Sequence, residues 1–74
     1  MREIEVGSKW RHFKGKVVKV IAIAKDSEDL RDLVVYEHDG DEWVREKSMF
    51  LSEVDHDKYP EVEQKYRFQK IEED

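Results

Sequence analysis

Seventy-four residues build one small domain and leave no length for a second. The chain has no cysteine, which excludes disulfide bracing and a thiolate zinc site, and 45% of its residues are charged against about 25% in an average domain. Its net charge of −5 disfavours general affinity for nucleic acid, and no apolar run approaches the roughly 20 residues of a membrane span.

So charged a composition makes disorder the rival to folding. The aromatic and β-branched residues argue against it, because they fall in clusters between turn signals. A chain of this size buries only about 60% of the surface its unfolded form exposes, so the core has to be compact. The charged opening MREIEVGSK does not read as a secretion signal. Together with the missing cysteines this leads to the expectation of a cytoplasmic protein that needs no cofactor and contacts no membrane. The charge is segregated: residues 1–25 carry +5 and residues 26–74 carry −10. The basic segment with Lys9, Arg11, Lys14 and Lys16 therefore either pairs with acidic neighbours on one solvated surface or meets an anion.

In chain order, residues 1–7 alternate Ile4 and Val6 before Gly7 and predict an edge strand or an ordered arm. In residues 8–14, an extended chain puts Trp10 and His12 on one face and Lys9, Arg11 and Phe13 on the other. A bulge near His12 would turn both rings inward. Gly15 then permits a tight turn.

Residues 16–25 hold the longest apolar run, Val17 to Ala24, broken by Lys19. Strict alternation groups Val18, Val20, Ala22 and Ala24 on one face and Val17, Ile21 and Ile23 on the other. A strand apolar on both faces asks for cover on both, and in so short a chain a curled central strand of a small barrel supplies it.

Residues 26–32, DSEDLRD, predict a polar loop whose acidic groups lack the spacing of a calcium loop. Residues 33–47 predict a hairpin, because Asp39-Gly40 separates two strand-like runs. The two-residue turn sets Tyr36 opposite Trp43, Val35 opposite Val44 and Val34 opposite Arg45. One face then carries Leu33, Val35 and Val44 and reads as plain core. The other carries Val34, Tyr36, His38, Trp43 and Arg45 and reads as a mixed aromatic and cationic surface.

Met49, Phe50 and Val54 are expected to plug the barrel from a short 3₁₀ turn or a bent strand. Tyr59-Pro60 marks a connector. Residues 65–71 alternate Tyr66 and Phe68 against Arg67 and Gln69 and predict the closing strand, with an acidic tail after it.

Several short stretches taken together resemble one family of small bacterial proteins, the domain of unknown function 1653 family. They are His12-Phe13-Lys14-Gly15, Val34-Val35-Tyr36, Trp43-Val44-Arg45, Met49-Phe50 and Arg67-Phe68, in that order, within Gly7 to Ile71. The chain departs from the family pattern twice. Asp26-Ser27-Glu28-Asp29 stands where members carry HSET, and Glu46 stands where proline follows the WVR stretch. The resemblance implies a compact β-rich fold and transfers no activity.

The residues themselves do not assemble an enzyme. None of Ser8, Ser27, Ser48 and Ser52 lies in a nucleophile elbow, His12, His38 and His56 lack metal-ligand spacing, and the glycines do not form a phosphate loop. The expected architecture is all-β, a small SH3-like barrel of about five antiparallel strands with a short 3₁₀ turn. The expected function is a binding module, not an enzyme. It recognises a peptide or other ligand through an aromatic and arginine face made from Tyr36, Trp43, Arg45, Trp10, Arg11 and His12. The alternative is a structural or assembly role, with the same face joining copies of the chain, so that the protein is a monomer or a weak homo-oligomer. Nucleic acid is the least favoured partner.

Overall fold

A computed structural model describes residues 3–72. The expectations placed on Met1 and Arg2 of the N-terminal arm and on Glu73 and Asp74 of the tail lie outside the described residues.

Five antiparallel strands form one sheet: β1 (Lys9–His12), β2 (Val17–Lys25), β3 (Asp32–His38), β4 (Asp41–Glu46) and β5 (Phe68–Lys70). Their spatial order is β4-β3-β2-β1-β5. Residues 3–7, expected to be a strand or an arm, form no strand, but Ile4 packs against the core and the Gly7 N–H donates to the Val20 carbonyl at 2.8 Å. The β3–β4 hairpin has the predicted register, with Val34 opposite Arg45, Val35 opposite Val44 and Tyr36 opposite Trp43. Its turn has positive φ at Asp39 (54°) and Gly40 (80°), the pair of left-handed residues that a tight twisted hairpin requires.

The burial of the two hairpin faces is the reverse of the sequence expectation. Val34 and Tyr36 are buried, and Val44 on the other face is 60% exposed. Cross-strand partners share a face, so Val44, Val35 and Ala22 line the outer side of the sheet, while Trp43, Tyr36 and Val20 line the inner side. A second correction lies in β2. The register shifts between Val20 and Ala22, which makes Ile21 a bulge residue. Beyond it the alternation changes hand: Ile23 pairs with the buried Val34, and Ala22 and Ala24 pair outward with Val35 and Leu33.

What decides the covered side is a plug of rings. Between β4 and β5 the chain makes one turn of α-helix, α1 (Lys47–Phe50), where a short 3₁₀ turn or a bent strand was expected. It delivers Phe50, fully buried, onto Phe68 with ring centroids 4.1 Å apart and planes within 4°. Trp10 meets Phe50 edge-on at 5.3 Å, and Tyr36 lies 5.8 Å from both phenylalanines. Val54 is buried as expected, whereas Met49 is 42% exposed and takes no part in the plug. The sheet curls over these rings, so that Arg45 of β4 reaches within 5.9 Å of the Phe68 ring on β5, the far strand of the sheet.

Candidate ligand-binding recess

The inner face is not wholly sealed. Where β4 and β3 run past β1, a recess of about 190 Å³ opens between Tyr36, Trp43, Arg45, His12 and Phe68. Each wall has a local cause. Tyr36 lies on the interior strand β3 and is buried, while its partner Trp43 lies on the edge strand β4 and is 50% exposed. Its indole N–H donates weakly to the His38 carbonyl at 3.4 Å, which holds the ring over the hairpin. Arg45, two residues on, shares the Trp43 face and packs its guanidinium on Phe68.

His12 ends β1 opposite Phe68, and their rings meet edge-on at 5.0 Å. The tight turn that follows, with Gly15 at φ 98°, returns the chain so that the His12 N–H donates to the Lys16 carbonyl at 2.7 Å. The same turn lets the Lys14 backbone N–H donate to His12 Nδ1 at 3.1 Å. Nδ1 is thereby an acceptor, so the neutral ring carries its proton on Nε2. Partial burial holds the His12 pKa below its ordinary value, and Arg45, Lys14, Lys16 and Arg67 add to that effect.

A second recess, of about 330 Å³, adjoins the first and shares His12 and Arg45 with it. Its other walls include Lys14, Lys58, Tyr59 and Arg67. The Nε atoms of Arg45 and Arg67 are both buried without a hydrogen-bond partner.

Four of the six residues picked from the sequence, Tyr36, Trp43, Arg45 and His12, thus meet at one recess. Two do not. Trp10 is 1% exposed, is part of the core, and donates its indole N–H to Ser8 Oγ at 2.9 Å. Arg11 faces the outer side of the sheet, opposite Val17 and Gln69. Sequence reasoning missed Lys16 as a wall of the first recess and Arg67 as a wall of the second. Lys16 reads only as part of the basic segment and Arg67 carries no local signal, since a turn and a long connection bring them in. His38 joins the first recess, while His56 lies apart and approaches the Gln64 carbonyl at 3.2 Å. Among the described residues, no group of three or more His, Asp or Glu side chains comes together to hold a metal ion.

The acidic loop is occupied with its own basic residues. Arg31 pairs with Asp29 at 2.6 Å and with Glu46, and Lys25 pairs with Asp32 at 2.7 Å. The lysines and arginines of the recesses form no such pair: among the described residues, Lys14, Lys16, Arg45 and Arg67 meet no carboxylate within salt-bridge distance.

No curated protein and no solved structure matches the chain. A family model described as Protein of unknown function (DUF1653) matches residues 8–70, a span that holds all five strands and both recesses' arginines. The chain belongs to the DUF1653 family.

Proposed function

We propose that the domain is a binding module, not an enzyme, and that the recess between His12, Tyr36, Trp43 and Arg45 seats one ring-sized group of a peptide or other ligand. The observation that carries this reading is the split of one cross-strand pair. Tyr36 is core, yet Trp43 beside it leaves half its surface at the mouth of the recess. Half-exposed tryptophan beside arginine is the composition from which binding hot spots are drawn. Size narrows the ligand. About 150 Å³ of apolar cavity holds benzene, so 190 Å³ admits one ring and not a folded surface.

The test is a nitrogen–proton NMR titration with short peptides and aromatic fragments. The chain has two tryptophans, and a Trp43→Phe variant assigns their two indole signals. Binding at the recess moves the Trp43 indole and the amides of His12 and Arg45, and leaves the buried Trp10 indole in place. Titrations that shift only residues elsewhere would reject the recess as the seat. The competing reading, in which this face joins copies of the chain, requires a dimer by size exclusion with light scattering.

A further inference from the structure

Resting on that reading of the recess, we infer that its ligand joins one planar ring to one anionic group, and that it belongs to the nucleoside monophosphate class. The two recesses adjoin across His12 and Arg45, and they differ in character. The first has Trp43, Tyr36 and Phe68 for walls, surfaces on which a flat ring stacks. The second gathers Lys14, Lys58, Arg45 and Arg67. One carboxylate, Asp55, also lines it, but its Oδ1 accepts the backbone N–H groups of Asp57 at 3.1 Å and Lys58 at 3.3 Å.

Cations outnumber carboxylates around this second recess, Lys14, Lys58, Arg45 and Arg67 against Asp55. Acidic residues outnumber basic ones by 19 to 14 in the chain, so unpaired cations are not for want of carboxylates. Arg31 and Lys25 take theirs on the far loop, while Arg45, Arg67, Lys14 and Lys16 find none among the described residues. All four bear on His12, from β4, from the turn after β1 and from the segment before β5. Both arginines also bury an Nε–H that nothing among the described residues accepts. Guanidinium groups bind oxyanions through paired N–H donors, and a phosphate is an acceptor that suits two arginines set side by side.

The surroundings set the size of the anion. Asp41 pairs with His38, a wall of the first recess, at the hairpin tip, and Asp55 lines the second. A polyanionic strand leaving the site meets a chain of net charge −5, whereas a single phosphate needs only the basic patch. A free mononucleotide is therefore favoured over nucleic acid.

Calorimetry and NMR on the intact chain, at low salt and neutral pH, test the assignment with four nucleoside monophosphates, their nucleosides, inorganic phosphate and a short oligonucleotide. The expected result is a monophosphate that binds at least about tenfold more tightly than its nucleoside or phosphate alone. It moves the Trp43 indole, and it raises the His12 pKa, because an anion beside the imidazole favours its charged form. Arg45→Gln and Arg67→Gln each remove the advantage of the phosphate, while Lys19→Gln on the outer face changes nothing. Should an arginine variant fail to fold, the comparison of monophosphate with nucleoside on the native chain decides alone. If nucleosides or peptides move Trp43 and the phosphate adds nothing, the anionic assignment falls and the binding recess stands. If monophosphates bind without moving Trp43 or His12, both fall. If affinity climbs steeply with oligonucleotide length, nucleic acid replaces the mononucleotide and the assignment is overturned.

Discussion

At the scale of single residues, His12 couples the recess to pH. Its folded-state pKa lies below the ordinary 6.5, chiefly through burial, with Arg45, Lys14, Lys16 and Arg67 adding to it. The unfolded chain therefore takes up the proton first as pH falls. The stability contributed by the neutral ring is complete above about 6.5 and is lost as pH drops through the folded-state value. Protonation of Nδ1 also breaks the bond from the Lys14 N–H. Urea unfolding at pH 7.5, 6.5 and 5.5 should show wild type losing more stability over this window than His12→Asn, whose side-chain oxygen can still accept that N–H. Parallel losses would show that His12 does not carry the slope. The pair Tyr36 and Trp43 gives a second residue-scale prediction. Although they face one another in the hairpin, they should respond unequally to truncation. Tyr36→Ala opens the core and costs about 3 kcal/mol or more, whereas Trp43→Ala loses a cross-strand contact worth roughly 0.2–1 kcal/mol. Thermal melts compare the two directly, and equal losses would place Trp43 in the core.

At the scale of elements, the hairpin is the part most legible in the sequence. Asp39-Gly40 fixes a two-residue turn, and that turn fixes every pair from Leu33–Glu46 to His38–Asp41. A Cβ at Gly40 meets no atom within 4 Å, so what opposes a substitution there is the backbone, at φ 80°. Gly40→Val should cost about 1–2 kcal/mol, and Gly40→Asn, which tolerates positive φ, much less. Equal melting shifts for the two would mean that something other than backbone handedness is at stake. Which hairpin face is covered was not legible. Leu33, Val35 and Val44 make the more purely apolar set, and hydrophobic pattern alone therefore ranks them as core. The ranking fails because burial is assigned by what packs on the sheet, and the packing rings Phe50 and Phe68 arrive from α1 and β5 on the opposite side. The bulge at Ile21 was illegible for a related reason: its run of β-branched and small apolar residues fits either register until the pairing with β3 selects one. Of the recess, Tyr36, Trp43 and Arg45 could be read from hairpin register. Lys16 and Arg67 could not, because a turn and a long connection bring them there.

At the scale of the whole molecule, core and recess share one structure. Phe68 stacks on Phe50 in the interior and also forms a wall of the recess, with Arg45 lying over it. The stability available is small, roughly 4–11 kcal/mol for a domain of this length. Phe50 is fully buried and meets the rings of Trp10, Tyr36 and Phe68, so it joins β1, β3 and β5 through a helix of a single turn. Removing its ring leaves a cavity that the curled sheet cannot close without giving up those contacts. Phe50→Ala should cost about 3–5 kcal/mol, a large share of the total. The neighbouring Met49, 42% exposed on the same turn, should tolerate alanine with a change of less than about 0.5 kcal/mol. Urea unfolding followed by far-ultraviolet circular dichroism separates the two. Because Phe50 touches three strands, the loss should appear as one cooperative transition at lower urea for the entire sheet. A Phe50→Ala protein that keeps wild-type stability would show that the ring plug does not hold the sheet in its curl, and with it the wall that Phe68 gives the recess.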